Sequence, residues 1–119
     1  MNEINLKVDV KAISINKAFQ GQRFKTKECK EYEKELWYQL PKKPMIEGEI
    51  EIWFDFFLIN YARTDISNLI KVTEDLLVKR GYFEDDRKIV KMHISKEKRE
   101  KDMMTIKIKK TEAFEYKRK

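Results

Sequence analysis

The chain contains few of the residues that crosslink or interrupt a protein: one cysteine, two prolines and three glycines among 119 residues. The lone cysteine, Cys29, excludes an internal disulfide and is typical of a protein from a reducing cytoplasm. The scarcity of proline and glycine argues against a linker, so we expect one domain over residues 1–119. Because no apolar run approaches the roughly 18 residues of a membrane span and the amino terminus shows no secretory pattern, we expect a cytoplasmic protein with no membrane partner.

Charged residues, by contrast, are abundant and unevenly distributed. Residues 1–86 hold 14 Lys and Arg against 16 Asp and Glu, whereas residues 87–119 hold 13 against 5. A basic segment that follows an acidic cluster favours a polyanionic partner, such as a nucleic acid, bound beside a metal site. A solvated, lysine-rich surface explains the same composition equally well. The charge therefore indicates a class of partner and not a function.

Hydrophobic periodicity predicts an α+β domain in which a mixed β-sheet packs with two main helices. Strands are expected at 4–10, 49–59, 89–94 and 103–108, and helices at 28–40 and 65–80. The strand at 49–59 carries apolar residues on both faces towards its end, so we expect it to be central and covered on both sides there. We expect the last two strands to pair as a β-hairpin, and residues 11–27 to form an extended loop or a loose hairpin.

The segment from Arg63 to Val90 has the clearest punctuation in the chain. Thr64 or Asp65 can cap a helix, because either side-chain oxygen accepts a hydrogen bond from a free amide of the first turn. Gly81 can adopt the left-handed conformation that ends this helix. Asp85 and Asp86 then precede a strand, so this arrangement can gather separated carboxylates beside Lys71.

Such a group of side chains suits metal-assisted phosphodiester hydrolysis. That reaction needs an activated water and neutralisation of the charge on the phosphate oxygens, and Mg²⁺, which carboxylates bind, supplies both. Lys71 could contact the scissile phosphate or help to activate water. The structural alternatives stay open at this point, since Asp65 could be only a cap and the Asp85–Asp86 pair only a turn.

The same segment resembles the RusA family of Holliday-junction resolvases. The family pattern is D-x-D-N-L-x-K at the helix start, then D-x-L within the helix and G-x-x-x-D-D before a strand. The residues at or near those positions are Asp65, Asn68, Leu69, Lys71, Asp75, Leu77, Gly81, Asp85 and Asp86. Ser14-Ile15-Asn16 also resembles the family's S-x-N element after the first strand, so the resemblance covers nearly the whole chain.

This resemblance implies a dimeric, RusA-like fold and a Mg²⁺-dependent endonuclease, in which Mn²⁺ can substitute for Mg²⁺. Such an enzyme binds four-way or branched DNA as a homodimer and nicks two strands symmetrically in recombination and repair. Carried over by position, Asp65, Lys71 and Asp86 would be catalytic. Asp65 and Asp86 would also be the core metal ligands, and Asp85 an auxiliary carboxylate. A phage or prophage source would suit the family.

DNA contacts are expected from basic and amide side chains, namely Asn16, Arg23, Lys25, Arg63, Arg87 and Lys88. Phe24 or Tyr61 could stack on bases, although a generic surface role is the alternative for each of these residues. The single histidine, His93, is expected to be structural, because one histidine does not make a typical zinc cluster. Trp37 and Trp53 are expected in the core or in a dimer contact.

One position departs from the family pattern. Ser67 stands where the family has its second aspartate, which removes a carboxylate from the implied metal site. Glu74 lies two helical turns after Ser67 and is the candidate to replace that ligand, directly or through water. Asp55, on the preceding strand, is an alternative, and Glu74 could instead be a solvated helix residue.

Two rival functions follow from this departure and from the basic charge. In the first, the chain is a catalytically impaired junction-binding protein of the same fold, and Ser67 marks the loss of activity. In the second, it is a small basic RNA-binding or interaction module whose carboxylates are structural. Cleavage of a synthetic junction separates these readings from the nuclease.

Overall fold

The computed structural model describes residues 2–21 and 24–111, so the predicted DNA contact Arg23 lies outside the described residues. The strands are β1 (Glu3–Val8), β2 (Phe19–Gln20), β3 (Phe24–Lys25), β4 (Ile50–Leu58), β5 (Ile89–Lys98) and β6 (Met103–Lys110). The helices are α1 (Ile15–Ala18), α2 (Lys27–Gln39) and α3 (Lys71–Arg80). None of the described helices is long and apolar enough to cross a membrane.

The main sheet has four strands in the order β1-β6-β4-β5. β4 pairs antiparallel with β6 and parallel with β5, and β6 pairs antiparallel with β1. The sheet is therefore mixed, and α2 and α3 are the two main helices. This confirms the α+β architecture expected from the sequence.

The predicted hairpin between the last two strands is wrong, because β4 lies between β5 and β6. Both edges of β4 are thereby paired, which satisfies the backbone groups of the most deeply buried strand. The connection from β5 to β6 crosses the end of β4. There the Arg99 amide donates to the Leu58 carbonyl at 3.0 Å. The Ile59 amide donates to Asp102 Oδ1 at 2.9 Å.

The core lies on one face of this sheet. Alternate residues of β4, from Ile50 to Leu58, are at most 2% exposed, and they share the core with buried residues of α2 and α3. The other face of β4 is only half-buried, and Ile59 just beyond it is 56% exposed. The prediction that both faces are covered is therefore wrong. On the open face Trp53 stacks on His93, which gives both rings a structural role.

Helix α2 begins and ends where the sequence predicts. Thr26 caps it by accepting a hydrogen bond from the Cys29 amide at 3.1 Å, and Pro41 follows its last turn. Its inward face carries Tyr32, whose hydroxyl shares a 2.6 Å hydrogen bond with the Thr73 hydroxyl of α3. Burial raises the pKa of Tyr32, so its hydroxyl stays protonated and holds the two helices together.

The predicted single helix over 65–80 is divided in two. A 3-10 turn spans Ile66–Leu69, and α3 starts only at Lys71. The turn is tight because Asp65 accepts a hydrogen bond from the Ser67 amide, an alternative to regular helix that Asp and Ser side chains favour. The other end is as predicted, since Gly81 has φ +88° and ends α3 in the left-handed conformation.

Residues 11–27 form more structure than the sequence predicts. The expected loose hairpin is present as β2 and β3, but the short helix α1 precedes it. Ser14 caps α1 by accepting a hydrogen bond from the Asn16 amide at 3.1 Å. This Ser-x-Asn turn therefore places Asn16 at the start of a helix.

We expect Tyr32→Phe to lower the free energy of unfolding by about 1–2 kcal/mol, because it leaves the buried Thr73 hydroxyl without its partner. Chemical denaturation measures this loss. Tyr38→Phe on the same helix removes a hydroxyl from a side chain that is 88% exposed, and it should cost almost nothing. Equal stabilities of the two variants would contradict a stabilising role for the helix-to-helix hydrogen bond.

Candidate active site

Lys71 lies between two carboxylates at the start of α3. Its Nζ atom is 3.2 Å from Asp75 Oδ1, one helical turn on, and 3.4 Å from Asp86 Oδ2. The hydrogen bond to Asp75, followed by the charges of Asp75, Asp86 and Glu74, raises the pKa of Lys71. The amine is therefore protonated at neutral pH. A fixed positive charge suits contact with a phosphate better than it suits taking a proton from water.

Glu74 is the carboxylate that the fold buries. Only 8% of it is exposed, and it forms no hydrogen bond or ion pair with any residue that the structure describes. Burial raises its pKa, the charges of Asp86 and Asp75 raise it further, and the charge of Lys71 lowers it. The fold thus largely covers Glu74, in contrast to a solvated helix residue, and a bound cation would offset the cost that burial imposes on its charged form.

Asp85 and Asp86 have different surroundings although they are adjacent. Asp85 caps the 3-10 turn Asp86–Lys88 by accepting a hydrogen bond from the Arg87 amide at 3.0 Å. That amide and the Arg87 side chain, which both donate to the carboxylate, lower the pKa of Asp85 to about 2. The turn interpretation therefore holds for Asp85, whereas Asp86 faces Lys71. Arg87 and Lys88, both predicted to contact DNA, follow directly.

Asp65 performs the capping role that the sequence allowed. Its Oδ1 atom accepts hydrogen bonds from the Ser67 amide at 3.2 Å and from the Ser67 hydroxyl at 2.7 Å. Ser67, which stands where the family pattern has its second aspartate, therefore hydrogen-bonds to Asp65, the first aspartate of that pattern. In consequence, Ser67 orients Asp65 and adds no negative charge.

Asp65 also lines a cleft of about 640 Å³ between α2 and the segment that follows β4. Two predicted DNA contacts, Asn16 and Arg63, line the same cleft. The charged lining residues from α2 are acidic, whereas those from residues 11–17 are basic. The other charged lining residues are Lys11, Lys17, Glu28, Glu31 and Glu35. This mixed lining was not apparent from the sequence, because it depends on how the chain around α1 packs against α2.

Lys25, another predicted DNA contact, has a partner within the protein. Its Nζ atom is 2.7 Å from Glu33 Oε2, and this hydrogen bond raises the pKa of Lys25. Asp55, the alternative metal ligand, accepts hydrogen bonds from Ser95 and Thr105. Asp55 lies on the half-buried face of β4, away from the core face that α3 covers, so it is not placed to replace the missing carboxylate.

The fit of Mg²⁺ depends on how many protein oxygens it requires. Among residues 2–21 and 24–111, no three His, Cys, Asp or Glu side chains are close enough together to hold a metal ion. Mg²⁺ commonly takes only one or two carboxylates and completes its octahedron with water and substrate phosphates. Glu74, buried and unpaired, and Asp86, close enough to shift its pKa, fit that smaller requirement. The four-carboxylate site, with Asp65 and Asp85, stays a prediction.

Sequence reasoning did not assign a role to Asp75, which pairs with Lys71. The signal was present, since a lysine and an aspartate four residues apart on a helix lie on neighbouring turns. A lysine and carboxylates gathered at a helix start beside the mixed sheet are groups that can hold a phosphate next to acidic side chains.

The comparison with family models agrees with that chemistry. Residues 12–109 match the model of the family described as endodeoxyribonuclease RusA. The match covers most of the chain, so the chain belongs to the RusA family, which is a family of nucleases. No curated protein matches it significantly.

We expect Lys71→Met to cost less than about 1 kcal/mol of unfolding free energy, because the pairs of Lys71 with Asp75 and Asp86 are half-exposed. Thermal and chemical denaturation at neutral pH measure this, with Lys79→Met, an exposed lysine of the same helix, as the control. A loss of about 3 kcal/mol or more would mean that Lys71 behaves as a partner in a buried ion pair.

Proposed function

We propose that the protein is a Mg²⁺-dependent endonuclease that resolves Holliday junctions by paired, symmetric nicks in DNA recombination and repair. Family membership supports an endodeoxyribonuclease. The observation that carries the proposal is Glu74, a buried carboxylate without a partner among the described residues, beside Asp86 and a protonated Lys71. Burial makes the charged form of Glu74 costly, and a bound cation would offset that cost.

Glu74 and Asp86 would hold the metal ion in this proposal, with Asp65 and Asp85 as the further predicted ligands. The ion would supply an activated water and neutralise charge on the phosphate, and Mn²⁺ would serve in its place. Lys71 contacts a phosphate oxygen, where its positive charge stabilises the additional negative charge of the transition state. Since Lys71 also pairs with Asp75 and Asp86, these two carboxylates orient its ammonium group.

DNA would run between the metal-binding carboxylates and the cleft at Asp65. Asn16 and Arg63 line this cleft, and Arg87 and Lys88 lie in the turn that carries Asp86. Contacts from such side chains to phosphates fix the position of a nucleic acid without reading its sequence. We therefore expect recognition of junction shape and a strong dependence of binding on salt.

Two identical sites suit a substrate with twofold symmetry. A four-way junction presents two symmetry-related strands, so a homodimer can place one site on each strand. Paired nicks then follow from the symmetry of the complex, without a second kind of active site.

The proposal is tested with a synthetic four-way junction and a duplex of the same sequence, each incubated with the protein with and without Mg²⁺. We expect metal-dependent nicks in two opposite strands of the junction, and their loss in Asp86→Asn and Asp65→Asn. Binding without cutting would indicate the catalytically impaired protein. Equal affinity for duplex and junction would indicate a general nucleic-acid or interaction module.

We expect Glu74→Gln to reduce the junction cleavage rate roughly 10- to 100-fold while leaving junction binding nearly unchanged, because it weakens metal binding. The same substitution should raise the melting temperature of the metal-free protein, because it removes a buried charge. Cleavage assays and thermal denaturation measure the two effects. Glu100→Gln, at an exposed position in the β5–β6 connection, is the control and should change neither. Normal cleavage by Glu74→Gln would exclude Glu74 from the site.

A further inference from the structure

The segment that leads from β4 to Asp65 has little to hold it in place. It contains a 3-10 turn, Tyr61–Arg63, with no buried residue and no side-chain hydrogen bond at its cap. Yet Asn60, Arg63 and Thr64 line the same cleft as Asp65. The Thr64 hydroxyl closes the turn by donating to the Asn60 carbonyl at 2.7 Å, but this bond lies within the segment and does not attach it to the sheet.

Lys96 of β5 supplies that interaction from the side of the sheet. Its Nζ atom donates to the Tyr61 carbonyl at 2.8 Å and to the Thr64 carbonyl at 3.1 Å. The same ammonium lies over the Tyr61 ring, 4.5 Å from its centre. One cation thus contacts the segment at both ends of the turn, at the carbonyls of Tyr61 and Thr64.

The position of Lys96 in the sheet makes this contact firm. It is opposite the buried Phe56 of β4, on the core side of the sheet, and is itself half-buried. The end of β4 that leads into this segment is fixed separately by the Arg99 amide and by Asp102. Lys96 therefore attaches the segment just before Asp65 to β5, the strand that follows Asp86.

We propose that Lys96 is a positioning residue, which holds the segment Asn60–Thr64 so that Asp65 and Arg63 face the DNA in the cleft. The inference rests on the proposed nuclease function. It adds a lysine whose ammonium binds backbone carbonyls of the protein and does not contact the phosphate. Lys96 acts through the backbone that it binds. Removing the Lys96 ammonium leaves the Asp65 carboxylate intact but no longer holds it in position. A misplacement of about 1 Å costs on the order of 100-fold in rate.

The test compares Lys96→Met with Lys98→Met. Lys98 lies two residues further along β5, and its exposed side chain has no described partner, so both variants lose the same charge. The first measurement needs no DNA or metal: trypsin cleavage after Arg63, followed by mass spectrometry. We expect this cleavage to accelerate on the order of tenfold in Lys96→Met, because local opening of the turn becomes more favourable. We expect no change in Lys98→Met.

The second measurement separates kcat from junction affinity. Lys96→Met should lower kcat at least tenfold with little change in affinity, and Lys96→Arg, which keeps a cation, should restore part of both the kcat and the trypsin resistance. Loss of affinity with kcat preserved would make Lys96 a DNA contact and overturn the proposal. Behaviour identical to that of Lys98→Met would also overturn it. If the wild type does not cut junctions, the nuclease proposal fails, but trypsin still decides whether Lys96 holds the segment.

If Lys96→Met does not fold, trypsin cleavage after Arg63 is measured instead in Lys96→Arg and in Tyr61→Leu. The second variant removes only the ring below the ammonium. Under the proposal, Tyr61→Leu weakens the same attachment and moderately accelerates trypsin cleavage after Arg63. Unchanged cleavage after Arg63 in both folded variants would contradict it.

Discussion

Parallel pairing of β4 with β5 is the constraint on which the rest of the molecule depends. Parallel neighbours cannot be joined by a tight turn, so the chain must travel the length of the sheet between Leu58 and Ile89. That crossover contains the capped turn at Asp65, helix α3 and the turn at Asp86. The path of this crossover over the core therefore arranges the site residues. Lys71 lies beside Asp86 because the start of α3 is close to the point where the chain enters β5.

The electrostatics of that crossover favour function over stability. Glu74 is buried near Asp75 and Asp86, and Lys71 is the cation that faces them. A half-exposed lysine only partly compensates three carboxylates, so the metal-free site carries unfavourable charge repulsion. Under the proposed function, such repulsion would favour the binding of a divalent cation. At Asp65 the arrangement differs, because Ser67 donates to the carboxylate and so stabilises it without a second negative charge.

Local patterns predicted most of the elements, and long-range pairing explains the errors. The strand β4, the end of α2 and the left-handed Gly81 depend on nearest neighbours, and all three are as expected. The prediction of a β5–β6 hairpin was wrong because strand order depends on long-range pairing, and here β4 lies between the two strands. The burial of Glu74 was not predictable either, since it depends on how α3 packs and not on its helical position.

The central claim is that Glu74 and Asp86 hold a metal ion beside Lys71. Titration of the isotope-labelled protein with Mn²⁺, followed by NMR, tests it most directly, because the paramagnetic ion broadens the signals of nearby nuclei. The account predicts that the amides of residues 71–75 and 85–87 broaden first, and that excess Mg²⁺ restores them. Selective broadening at Glu31 and Glu35 of α2, which line the cleft, with residues 71–75 unaffected, would contradict it.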